Sequence, residues 1–261
     1  MNVFLIRMLV VGTVVSMTQS AIADVKWGNL STQFVLDGKA PPREKVALNK
    51  DIAVCMKEHP LSEEVIVNPK NNGIHNVVVY IELKKPQKLP AIHPDYSKPA
   101  KPVRITNKNC RFEPHISAVR KGQKVLLGND DPIHHNILAN MLYNTPFNLA
   151  IQPRSNTEQV FDKTERRPCQ LTCPIHSWMK GYLIVKDHPY VGISNKDGKL
   201  EIKNIPAGKW TFQFWHEQPG YLKKLVVKKR TIEDRKGVYE LEIRPGRNDM
   251  GTIKLPAAIF E

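Results

Sequence analysis

Three side chains able to bind a soft metal follow one another at Cys173, His176 and Met179, in the order C-x2-H-x2-M. A thiolate, an imidazole and a thioether together favour copper in an electron-transfer site, where two His and one Cys lie in a plane with a weak axial Met. One imidazole is missing from this stretch. The upstream run Asn129-Asp130-Asp131-Pro132-Ile133-His134-His135-Asn136 can supply it. Neighbours on a strand point to opposite faces, so His134 and His135 cannot easily serve the same ion.

An early His followed by Asn, then Cys, His and Met together late, resembles the cupredoxin (plastocyanin-like) family. The tight C-x2-H-x2-M spacing is most similar to amicyanin. The resemblance covers roughly residues 105–187. It implies a small β-sandwich holding one type 1 copper, with His135, Cys173, His176 and Met179 as ligands. His135 is preferred to His134 because it precedes Asn136, which matches the family Asn that ties the two ligand loops together. His176 would be the exposed imidazole, in an apolar patch with Pro174, Ile175 and Trp178. The chemistry implied is one-electron transfer with no substrate bond made or broken, hence no enzyme. A redox protein with an acidic face is the expected partner.

Other readings compete for the same residues. Cys169, Cys173 and His176 with one more His could form a structural zinc site, although Met179 and the His-Asn pair favour copper. Loss of the metal from a surviving fold is disfavoured because all four expected ligands are present. Cys173 could be a nucleophile with His176 as base, but the sequence shows no orienting third residue and no oxyanion motif. His216-Glu217 is not H-E-x-x-H, since Gln218-Pro219-Gly220-Tyr221 follows, and it reads as a strand end. His59, His75 and His93 read as loop or structural residues. A polysaccharide-binding or adhesive envelope protein, and a copper storage or delivery protein, are the functional alternatives.

These residues need elements to hold them, and 261 residues are enough for one large or two modest domains. Arg7 within an apolar run from Val3 to Val15, then Ala21-Ile22-Ala23, reads as a secretory signal peptide over 1–23. The run is shorter than the ~20 residues that span a bilayer, and no later stretch is apolar enough to cross. Export to a periplasm, cell envelope or exterior is therefore expected, and disulfides are allowed there. Of Cys55, Cys110, Cys169 and Cys173, the last two flank the metal loop, which makes Cys55–Cys110 the preferred bridge. Cys169 and Cys173 on one strand would be ~13 Å apart, too far to bond. The formal charge of +14 suits an acidic partner or an anionic envelope surface. Lys is scattered rather than clustered with aromatics, so nucleic-acid binding is not expected.

The chain reads as all-β. Residues 24–103 hold short strands, with Asn76–Leu83 as a buried one, then a Pro-rich loop. They either complete the copper sandwich or form an added layer. Residues 104–187 are the cupredoxin-like domain. Alternation along Cys169-Gln170-Leu171-Thr172-Cys173 puts Cys169, Leu171 and Cys173 on one face. Residues 188–261 form a second, smaller β-sandwich. Its Asp197-Gly198 turn and Ile205-Pro206-Ala207-Gly208 turn, followed by Trp210, resemble carboxypeptidase regulatory-like (transthyretin-like) modules, where such a run is a folding signature. Docking, attachment or glycan contact is what that resemblance leaves open for this module.

Overall fold

The computed structural model describes residues 25–58, 60–83, 88–97 and 100–260. The expected signal peptide, His59 and part of the Pro-rich loop lie outside the described residues. The fold is nearly all strand. The first half runs β1 (Trp27–Asp37), β2 (Val78–Ile81), β3 (Val103–Lys108), β4 (Arg111–Glu113), β5 (Ile116–Arg120), β6 (Lys124–Asn129), β7 (His135–Ala139), β8 (Phe147–Ile151), β9 (Asn156–Val160), β10 (Cys169–Thr172) and β11 (Lys180–Lys186). The second half adds β12 (Val191–Ile193), β13 (Lys199–Pro206), β14 (Gly208–His216), β15 (Gly220–Tyr221), β16 (Lys224–Val227), β17 (Arg230–Glu233), β18 (Val238–Ile243) and β19 (Gly246–Pro256). A short helix, α1 (Ile52–Cys55), continues into a 3-10 turn at Met56–Glu58.

Two sandwiches result. In the first, the sheet β5-β11-β10-β7-β8 faces the sheet β4-β3-β6-β9. Between them pack Ile105, Phe112, Val125 and Leu127 from one side and Val119, Ile137, Leu171 and Leu183 from the other. Period-two alternation drives this: in β10 Cys169 and Leu171 turn inward and Gln170 outward. Residues 147–151 form β8 and pair with β7 from His135↔Ile151 to Ala139↔Phe147.

In the second sandwich the sheet β13-β1-β19-β16-β17 covers β12-β2-β14, to which β15 and β18 add. Its core joins Leu30, Phe34, Leu200, Ile253 and Leu255 to Val79, Ile81, Phe212 and Phe214. The sequence left open whether residues 24–103 extend the first sandwich. Their strands pair elsewhere: β1 lies between β13 and β19, and β2 lies between β12 and β14. The Asp197-Gly198 turn is where the expectation of a tight hairpin is met most closely. Gly198 has φ +74, and a Cβ there would meet the Phe34 carbonyl oxygen at 2.1 Å, so only glycine fits.

β2 explains how the sandwiches join. All four of its residues are buried because both faces are covered. Val79 and Ile81 enter the second core, while Val78 and Tyr80 pack with Trp215 against Ile116 and Ile184 of β5 and β11. Each such side chain contributes about 2 kcal/mol when removed from water. The junction therefore holds the two sandwiches by apolar burial, and it leaves the ends of β7 and β10 free to carry the cysteine and histidine cluster.

Candidate metal centre

β7 and β10 are neighbours, with Leu171 opposite Ala139 and Thr172 opposite Leu138. Continuing that register brings Cys173 beside the start of β7, where the Asn136 N–H donates to Cys173 Sγ at 3.4 Å. The loop after Cys173 folds back through two tight turns. His176 N–H bonds the Cys173 carbonyl at 3.1 Å, and Met179 N–H bonds the His176 carbonyl at 2.9 Å. Cys173 N–H in turn reaches the Met179 carbonyl at 3.3 Å. Cys, His and Met are thus gathered by local backbone geometry.

His135, Cys173 and His176 come together, each offering a donor atom within 4.8 Å of the other two. Cys173 Sγ lies 4.0 Å from His135 Nδ1 and 3.7 Å from His176 Nδ1. Bond lengths of about 2.3 Å to sulfur and 2.0 Å to nitrogen at one small ion would separate S and N by about 3.5–3.8 Å. The His176 spacing falls within that range and the His135 spacing, at 4.0 Å, lies just above it, so a small inward movement of His135 would bring the three residues onto a single ion. Cys173 is a free thiol. Met179 is buried in the same apolar cluster. His134, the competing imidazole, is exposed and precedes β7, which begins at His135.

Two carboxylates fix the imidazoles. Asp131 Oδ2 accepts from His135 Nε2 at 2.9 Å, and Asp51 Oδ2 accepts from His176 Nε2 at 2.8 Å. A carboxylate only accepts, so each neutral ring carries its proton on Nε2 and turns the Nδ1 lone pair toward the sulfur. This is the arrangement that orients metal-binding histidines generally. Asp131 is held in place by the N–H groups of Asn109 at 2.7 Å and Cys110 at 2.9 Å. The Asn129 side chain spans the loop, accepting from Asp131 N–H and donating to the carbonyls of Ile133 and Ile151.

The electrostatics favour a thiolate. Burial alone would raise the Cys173 pKa, but His135 and the amides of Asn136, His176 and Ile175 hold it below the ordinary thiol value. Burial likewise pulls His135 down, yet Asp131 and Cys173 outweigh it and the net shift is upward. His176 moves down, chiefly through burial. Cys169 is different: burial pushes its thiol up to about 11, and it belongs to neither cluster of ligand atoms among the described residues. The zinc reading through Cys169 therefore has no geometric support. A second cluster of Cys110, Asp131 and His135 offers no thiolate, because Cys110 is bonded to Cys55.

Several sequence expectations are corrected. His176 is not the exposed imidazole: it is 0% exposed, because residues 48–58 fold over it. Asn136 joins the ligand loops through its backbone N–H, while its side chain bonds Asn148 on β8. A third residue does orient His176, namely Asp51. Cys173, at 1% exposure, nonetheless has no approach for a substrate, so a Cys-His-Asp nucleophile is not supported. Glu217 pairs with His115, and the neighbouring His216 is buried against Phe260.

Asp51 and Asp131 were missed by sequence reasoning. Asp131 carried a signal, standing four residues before His135. Asp51 carried none.

No protein-family profile matches the chain, and no curated protein matches it in sequence. Among solved structures, a Cu-containing nitrite reductase from Thermus scotoductus SA-01 is 19% identical with a TM-score of 0.31 over 37% of this chain. That match spans a quarter (25%) of the reductase chain. A purple cupredoxin from Nitrosopumilus maritimus is 23% identical with a TM-score of 0.28, over 33% of this chain and 100% of its own. An oxidized amicyanin mutant is 17% identical with a TM-score of 0.29, over 41% of this chain and 98% of its own.

Proposed function

We propose that the protein binds one type 1 copper at His135, Cys173 and His176, with Met179 as the weak axial donor, and passes single electrons between redox proteins outside the cytoplasm. One observation carries this reading: both imidazoles present Nδ1 to the Cys173 sulfur while Asp131 and Asp51 hold their Nε2 protons. Two nitrogens, a thiolate and a thioether are the donor set of a blue-copper centre. When bound, copper supplies a one-electron couple. The chain's part is to bury the donors, fix their directions and exclude water, so that little rearranges between oxidation states. No bond to a substrate is made or broken.

The Cys55–Cys110 disulfide supports an oxidising compartment, consistent with the signal-peptide reading of residues 1–23. No helix among the described residues is long and apolar enough to cross a membrane. The second sandwich, with its carboxypeptidase regulatory-like turns, serves docking or attachment in this reading.

The test is the visible spectrum of the purified protein after Cu(II) is added, beside a Cys173→Ser variant. An intense band near ~600 nm, absent from the variant, is the expected result for a Cys–copper centre. Folded, metal-loaded protein without that band would overturn the reading.

A further inference from the structure

The imidazole edge of His176 does not reach water, so an electron must enter or leave through what covers it. The cover is a loop closed at its base by Val46 N–H to the Pro60 carbonyl and Ser62 N–H to the Glu44 carbonyl. Its tip is pinned by Cys55–Cys110, and Leu48 and Val54 pack on the sandwich core. Asp51 stands at the N-cap of α1 in a left-handed conformation, φ 48, and makes no cap bond with its side chain. Such a residue normally caps its own helix. Here the carboxylate is given to His176 instead, and it is still 34% exposed.

Beyond Asp51 the surface changes character. Ile52 is 51% exposed and Met56 41% exposed, and four residues apart they share one face. Lys50 and Lys57 flank them, both exposed. A cleft of about 500 Å³ opens alongside, lined by Lys57, Lys108 and Arg154 together with Asp130 and Asp131. Asp131 is engaged by His135 and Asp130 by Arg104, which leaves Lys57, Lys108 and Arg154 as the cleft's basic lining.

We infer that this α1 face is the docking surface for a redox partner, and that the electron crosses through Asp51. The route has one hydrogen bond, His176 Nε2 to Asp51 Oδ2 at 2.8 Å, and then the covalent chain to Ile52. The inference rests on the copper reading above. The partner is a protein whose docking spot is apolar and edged by carboxylates, matching Ile52 and Met56 with Lys50 and Lys57 near them in the chain and Lys108 and Arg154 in the adjoining cleft. Such a charge pattern steers encounter more than it strengthens the complex. One electron passes to an oxidised one-electron centre of the partner, and no bond or proton moves with it.

Two measurements test it. Copper-free, 15N-labelled protein is titrated with hexacyanochromate(III), a paramagnetic and redox-inert trianion. Broadening centred on the amides of residues 50–57 and 108 is expected, and it should vanish in a Lys50→Glu/Lys57→Glu variant. Broadening centred elsewhere would overturn the proposal. Reduced, copper-loaded protein is then oxidised by ferricyanide at low salt. An Ile52→Glu/Lys57→Glu variant is expected to react about tenfold more slowly. Val160→Glu, on the edge strand β9 and paired there with Lys124, should stay within about twofold of wild type. A normal blue band with lid variants as fast as wild type would sink the docking surface and spare the copper site. Absence of the band in wild type would sink the copper reading itself. A dimer in sedimentation that Ile52→Glu dissolves would make this face a contact between copies of the chain, and would also overturn the proposal.

Discussion

Asp51 and His176 stand 125 residues apart in the chain and are joined by a 2.8 Å hydrogen bond from the imidazole Nε2 to the carboxylate. A residue outside the strands of the first sandwich therefore sets the direction of a donor inside it. Removing such a partner costs about 10–100-fold in metal affinity. Asp51→Ala is expected to weaken copper binding by about that factor, and Asp131→Ala to do the same through His135. Competition against a Cu(I) chelator reads this directly. Wild-type affinity in both variants would show that the carboxylates are incidental.

The disulfide that pins the lid closes a loop with a sequence separation of 55. In the chain-entropy view, a cross-link over such a loop stabilises by about 4 kcal/mol. A Cys55→Ser/Cys110→Ser variant is expected to lose most of that in chemical denaturation. It should also exchange the amide protons of residues 48–58 faster than wild type. If exchange at the lid were unchanged, the apolar packing of Leu48 and Val54 would be sufficient to hold it.

The site was legible in sequence to the extent that its parts are local. Cys173, His176 and Met179 sit within one turn-rich loop, and the His-Asn order singles out His135, which is buried, from His134, which is exposed. What could not be read is long-range. Nothing in residues 48–58 signals that Asp51 reaches His176, so the burial of that imidazole was unforeseen. The same limit applies to β1. Its alternation marks a strand, but period two carries no information about partners, and β1 joins the second sandwich through β13 and β19. Turn chemistry fared better, because Asp197-Gly198 states its own backbone requirement.

Glu165 anchors the loop that follows β7. Its carboxylate accepts from the N–H groups of Leu142, Tyr143 and Asn144 and from the Asn144 side chain. Burial raises its pKa, but these bonds outweigh it and the net shift is below the ordinary carboxylate value of 4.5. A depressed folded pKa contributes stability that is present above 4.5 and is lost as pH falls through the folded value. Glu165→Gln leaves donors facing donors and should cost about 2 kcal/mol at pH 7. The gap between wild type and variant, measured by urea denaturation, is expected to narrow below pH ~4.5. A gap independent of pH would mean that the charge on Glu165 is not what holds the loop.

His115 shows the opposite sign at the junction of the two sandwiches. Its Nε2 donates to Glu217, which follows β14, and its Nδ1 lies 3.6 Å from Glu63. Arg111, 3.9 Å from Glu63, and the Lys180–Glu64 pair complete the charged surroundings. Burial pulls the imidazole pKa down, but the two carboxylates prevail and raise it from 6.5 to about 9. Between those values the folded protein holds a proton that the unfolded chain has released. The contribution is complete below pH 6.5 and is lost as pH rises through about 9. At about 1.4 kcal/mol per unit, the loss is of order 3 kcal/mol. Denaturation of wild type and His115→Gln at pH 6.0, 7.5 and 9.5 should show curves that converge toward the alkaline end. Equal separation at all three would indicate a neutral imidazole, held there by packing against Tyr182 rather than by charge.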